Sequence, residues 1–196
     1  MINFLCGDYY LYVSEYDSEN EMIEKLRGKN DSIILKKSEH VLNSYMINGC
    51  CEMDGKSIGI GILSSDPEVA PTVSFDPFGF LYIHNGQIFS VVDLNQKVTV
   101  FEYQAMCEVF FFKVFPKAIL LVEEIQIELL SRAGDCIRSY AFDDILEDYQ
   151  IIGTTLHYRT QSNTGTVDLK EFGVLYKSRG MVMNKKSDII MSDIII

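Results

Sequence analysis

Paired cysteines are missing from this chain: Cys6, Cys50, Cys51, Cys107 and Cys136 are an odd set with no CxxC spacing. That pattern excludes a closed disulfide framework and a zinc ribbon, and reads as reduced thiols. Basic residues are also scarce, with 17 Lys and Arg against 28 Asp and Glu and a formal charge of −11. A surface of that sign repels phosphate backbones and anionic membranes unless a local basic patch overrides it. The densest basic spots, Lys25/Arg27/Lys29, Lys36/Lys37 and Lys185/Lys186, are short and lack the interleaved aromatics that stack on bases. Neither nucleic acid nor membrane is therefore expected as a partner. Long apolar runs are absent too, since Val109–Phe115 is interrupted at Lys113 and the Ile-rich end is short of a bilayer span. The stretch from Met1 to Val13 has no basic residue and meets Asp8 early, unlike a secretory signal. A cytoplasmic protein is the expectation.

Catalytic and metal-binding motifs are missing as well. No serine sits in a GxSxG elbow, and His40, His84 and His157 occur without HExxH or His-x-His spacing. Gly59-Ile60-Gly61 lacks the third glycine, the lysine and the helix start of a phosphate loop, so it reads as strand packing. Cys50-Cys51 reads as two thiols on opposite faces of a strand. No catalytic residue, metal ligand or cofactor is expected.

What is present is a core and a β pattern. With 47% hydrophobic and 23% charged residues, 196 residues suffice for autonomous folding. Phe4–Val13 reads as an opening strand, and Ser18-Glu19-Asn20-Glu21 as a capping box starting a short helix through Met22, Ile23 and Leu26 to Gly28. Ser32–Leu35 is a short apolar run. Val41, Leu42, Tyr45 and Met46 lie on one face of a second helix over 38–47. Asn48-Gly49, Asp54-Gly55 and the prolines Pro67, Pro71 and Pro77 place a soft boundary between residues 48 and 76. The organisation expected is an N-terminal α+β segment over 1–76 packed on an antiparallel β-rich region over 77–196, together one cooperative domain.

From Phe78 onward strands and tight turns succeed one another, beginning with Phe80–His84, Asn85-Gly86 and Ile88–Leu94. Ile125, Ile127 and Leu129 alternate with Gln126 and Glu128. The fold class is mainly β (α+β), an antiparallel meander, propeller-like or sandwich-like, with one or two short N-terminal helices. Leu81, Val92, Asp93 and Leu94 recur 75 residues later as Leu156, Val167, Asp168 and Leu169, which suggests a repeat of four-stranded units. The Ile-rich tail from Lys185 is expected to pair as an edge strand or pack on the body.

The acids are unevenly spread. Residues 1–24 hold six acids and no Lys or Arg, and residues 119–171 hold ten acids against four basic residues. In the first segment Asp17, Glu19, Glu21 and Glu24 stand beside Tyr12 and Tyr16, tyrosines being efficient contact residues. In the second, the spacing of Asp143, Asp144, Glu147 and Asp148 puts carboxylates on one face if the segment is a helical turn. These ten residues are the candidate partner-binding set. A small acidic protein without a catalytic signature is similar in type to immunity proteins, which cover basic toxins with negative charge. The expected function is a non-enzymatic protein-binding role, most concretely an immunity or inhibitor protein for a basic toxin or effector. Two rivals stand beside it. One is an enzyme or small-ligand binder with a pocket between strands, using Asp93, Asp168, His84 or His157; the other is an assembly subunit pairing through sheet edges.

Overall fold

The computed structural model describes residues 3–35, 41–65 and 70–170, and the tail from Lys185 lies outside them. The chain is mostly strand, with one helix among the described residues and no closed barrel. It divides between Gln104 and Ala105 into two compact units. The proline-marked stretch over 48–76 falls inside the first.

The first unit opens with β1 (Asn3–Cys6) and β2 (Tyr9–Tyr16), antiparallel around Gly7-Asp8. The expected single opening strand is thus a hairpin. Gly7 supplies the positive φ, 56°, that the turn needs. Helix α1 (Glu19–Arg27) follows as anticipated: the Ser18 hydroxyl accepts from the Glu21 amide at 3.2 Å, and the Gly28 N–H reaches the carbonyls of Leu26 and Lys25. Strands β3 (Asp31–Ile34), β4 (Asn43–Cys51) and β5 (Ser57–Ser64) complete a sheet of order β1-β2-β4-β5-β3, in which β3 runs parallel to β5. The second helix expected over 38–47 is instead the start of β4, and Asn48-Gly49 lies within that strand rather than at a turn. Asp54-Gly55 does make the β4–β5 turn, with Gly55 at φ 68°.

This sheet is covered on both sides, which explains its unbroken apolar strands. Met46 of β4 and Leu63 of β5 pack with Met22 and Leu26 of α1. From the other face Tyr45, Ile47, Ile58, Ile60 and Ile62 join Leu81, Ile83, Val92 and Leu94 of the next sheet. Gly59 and Gly61 face the helix: a Cβ on either would lie 2.6 or 2.8 Å from a Leu26 methyl. Close helix-to-sheet approach is what these glycines provide, as the strand-packing reading holds.

That next sheet is β6 (Thr72–Phe75), β7 (Phe80–Asn85), β8 (Ile88–Asp93) and β9 (Val98–Gln104), an up-and-down antiparallel meander in chain order. Because Asn85 pairs with Ile88, the β7–β8 loop is Gly86-Gln87, one residue beyond the expected Asn-Gly pair. Gly86 at φ 61° takes the first loop position, as a type II′ turn requires.

The second unit repeats this plan. Strands β10 (Val109–Val114), β11 (Ala118–Glu123), β12 (Gln126–Ser131) and β13 (Cys136–Ala141) form a second four-stranded meander, and β14 (Leu146–Ile152), β15 (Thr155–Thr160) and β16 (Thr164–Asp168) a three-stranded one. Leu120, Val122, Ile127 and Leu129 of the former meet Leu156 and Val167 of the latter in one apolar cluster, closed by Phe115, Phe142, Leu146 and Leu169.

The suspected repeat has a structural counterpart. Leu81 pairs with Val92 as Leu156 pairs with Val167. The Leu94 amide donates to the Gly79 carbonyl as Leu169 donates to Thr154, 75 residues on in both partners. Between them β7, β8 and β9 begin 38 residues before β11, β12 and β13. Each unit of the repeat is the meander from which propeller blades are built.

Candidate protein-contact surface

The N-terminal acidic set gathers on one side of the first unit. Along β2, Tyr9 and Leu11 enter the inter-sheet core, so the alternate residues Tyr10, Tyr12, Ser14 and Tyr16 face the side that carries α1. Tyr16 packs against the cluster under the helix, whereas Tyr12 is half-buried and Tyr10 more exposed. On α1, Met22 and Leu26 point into the sheet, which turns Glu21 and Glu24 to solvent; Asp17 precedes the cap and is exposed, and Glu19 is half-buried. Among the described residues no Lys or Arg forms an ion pair with Asp17, Glu21 or Glu24. The acids of the first turn also favour the helix dipole, and Lys25 and Arg27 close the last turn, so the negative face belongs to the N-terminal half of α1.

The second acidic set does not form the helical face that its spacing suggests. Asp143 and Asp144 sit in the bend before β14, and Glu147 and Asp148 lie within that strand. Their carboxylates serve local structure. Asp143 accepts from the Thr160 hydroxyl at 3.0 Å, while Asp144 and Asp148 accept from the amides of Ile145 and Tyr149. Glu147 pairs with Arg159 at 3.5 Å.

The polar residues of the pocket reading do not converge. Asp93 caps the β8–β9 turn by accepting from the Asn95 and Gln96 amides, and Asp168 does the same for Lys170. His84 is buried with its Nε2 2.7 Å from the Gly86 carbonyl, and burial holds its ring below the usual histidine range. His157 is exposed on β15, in a different sheet from His84. It lines an open groove of about 570 Å³ on β14–β16, together with Asp148, Gln150, Arg159, Thr164 and Thr166. Among the described residues no group of three or more His, Cys, Asp or Glu side chains is placed to hold a metal ion. No described helix is long and apolar enough to cross a membrane.

One constellation escapes the sequence pattern altogether. Gln126 and Glu128, which alternate with Ile125, Ile127 and Leu129, are buried, because β12 is covered on both sides. Across the tight turn at Glu124-Ile125, Glu123 has no exposed surface. Gln126 donates to both its oxygens at 3.3 Å and the Cys107 amide donates to Oε2 at 3.1 Å. The signal available was a pair of glutamates five positions apart astride a two-residue turn, inside a run that is otherwise apolar.

No protein-family model matches the chain, and no curated protein matches it either. Solved structures do. Hydrazine synthase of Kuenenia stuttgartiensis is 18% identical over 83% of this chain and 51% of its own, with a TM-score of 0.47. AztD from Citrobacter koseri, in its apo form, is 11% identical over 79% and 48%, with a TM-score of 0.44. Hsv2 of Kluyvelomyces marxianus is 7% identical over 64% and 47%, with a TM-score of 0.39. The chain spans about half the length of each.

Proposed function

We propose that this chain is a non-enzymatic binding protein that recruits a basic protein through the acidic N-terminal half of α1 and the tyrosines of β2 beside it. The supporting observation is the exposure of Asp17, Glu21 and Glu24, without an ion pair to any described residue, on a helix pinned to its sheet by Met22 and Leu26. A rigid carboxylate face attracts a cationic partner at long range and discriminates against acidic ones, with Tyr10 and Tyr12 adding contact area at low entropic cost. Asp143, Asp144, Glu147 and Asp148 drop out of this reading, since turn and strand contacts occupy them. The concrete form remains an immunity or inhibitor role against a basic toxin or effector, acting in the cytoplasm.

Affinity capture from the native cell tests the proposal with three baits: the wild type, Glu21→Lys/Glu24→Lys, and Asp144→Lys as a control elsewhere. A cationic protein retained by the wild type and the control but lost from the double variant is the expected result. Capture that the α1 reversal leaves unchanged would overturn it.

A further inference from the structure

One helix cannot cover the five-stranded sheet of the first unit. Strands lie about 4.8 Å apart and a helix with its side chains is about 10 Å wide, so a single helix shields about two of them. Helix α1 takes β4 and β5, where Leu26 meets Gly59 and Gly61 and Met22 packs with Met46. The same face of the sheet continues past it onto β2 and β1. There Tyr10 stands between Leu5 of β1 and Cys50 of β4, its direct cross-strand partners, and its hydroxyl is hydrogen-bonded with Glu52. Leu5 is 47% and Tyr10 52% exposed, Cys50 is exposed and Tyr12 is half-buried. This shelf presents apolar and aromatic surface that no described helix covers.

The charges along the shelf have a direction. Because β2 turns back into α1 at Ser18, the first turns of the helix stand beside Tyr16, which packs in the cluster with Met22. Leu26 is level with Gly59, whose row across the sheet runs through Asn48 to Tyr12. The exposed acids Asp17, Glu21 and Glu24 therefore lie toward the Tyr16 end, and the exposed Lys25 and Arg27 toward the end with Tyr10 and Leu5.

We propose that the element of the basic partner seated here is an amphipathic α-helix that lies on β1 and β2, antiparallel to α1, with its lysines and arginines in its C-terminal half. This rests on the reading of α1 as the contact site. From Tyr10 to Tyr16 the strand spans about 20 Å, which a helix of about 14 residues matches. Cations near a helix's own C-terminus are favoured by its dipole, and in the antiparallel placement that end meets Asp17, Glu21 and Glu24. An apolar stripe on the same helix covers Leu5, Tyr10 and Tyr12. An extended segment would pair with the β1 edge instead and leave the face open.

The test titrates three synthetic peptides of about 14 residues into the isotopically labelled full chain, followed by NMR. The first is an amphipathic helix with its lysines in the C-terminal half, the second has its lysines moved to the N-terminal half, and the third carries central prolines that forbid the helix. The first is expected to shift the amides of Leu5, Tyr10, Tyr12 and residues 17–24 and to bind at least about tenfold more tightly than the other two. Leu5→Asp should weaken it, while Glu21→Lys/Glu24→Lys should abolish it. Three peptides of equal affinity, all lost on the α1 reversal, would leave the α1 contact standing and sink the helix. Binding that the α1 reversal does not alter would sink both. A first peptide that leaves Leu5, Tyr10 and Tyr12 unshifted also rules the docked helix out, whatever the α1 variants capture from the cell.

Discussion

At the scale of single residues the acidic side chains divide by what they touch. Asp76, Asp93, Asp144 and Asp168 accept backbone amides in or beside turns, and Asp148 accepts one within β14. The same carboxylate that makes aspartate a turn former makes it look like a binding group, so sequence alone could not separate the second acidic set from the first. Glycine is more legible. Gly59 and Gly61 stand in an apolar run with no turn signal, and their reason is Leu26 overhead. Gly61→Ala is expected to cost about 1–3 kcal/mol by overpacking, read as a lowered denaturation midpoint at unchanged slope. The thiols offer a second check. Cys6 is buried and its thiol is pushed up to about 12, by burial first and the charge of Asp76 second, whereas Cys50 is exposed. A thiol reagent at neutral pH should therefore modify Cys50 rapidly and leave Cys6 intact until the protein unfolds.

At the scale of elements, local chemistry was read correctly where one residue forces the geometry. Ser18 and Gly28 bound α1 because the Ser18 hydroxyl accepts a first-turn amide and the Gly28 N–H reaches the last-turn carbonyls. Ser18→Ala is expected to cost about 1 kcal/mol, measured by denaturation, with loss of the Glu21 amide's partner. Periodicity failed where a strand is buried on both faces. Val41, Leu42, Tyr45 and Met46 matched a helix stripe, yet Tyr45 and Met46 are neighbours in β4 that face opposite cores. In β12, where Ile125, Ile127 and Leu129 alternate with Gln126 and Glu128, the glutamine and glutamate are buried as well. A strand with two covered faces obeys no amphipathic rule.

At the scale of the whole molecule the β-dominated class was evident from the turn spacing, and the 75-residue recurrence pointed to equivalent strand pairs. It marked alternate meanders; the intervening one, from β10 to β13, shares the pairing but too few side chains to register in sequence. The net charge of −11 is a property of the full chain, but its distribution decides what it can do. Glu123 and Glu128 are buried and Asp143 and Glu147 are engaged by Thr160 and Arg159, whereas the exposed carboxylates Asp17, Glu21 and Glu24 at α1 stand without ion pairs among the described residues. The most direct measurement is a titration of the captured cationic partner into isotopically labelled protein, followed by NMR at low and high salt. The account predicts amide shifts centred on residues 17–24 and on Tyr10 and Tyr12, with affinity that falls as salt rises. Shifts confined to the second unit, or affinity indifferent to salt, would contradict it.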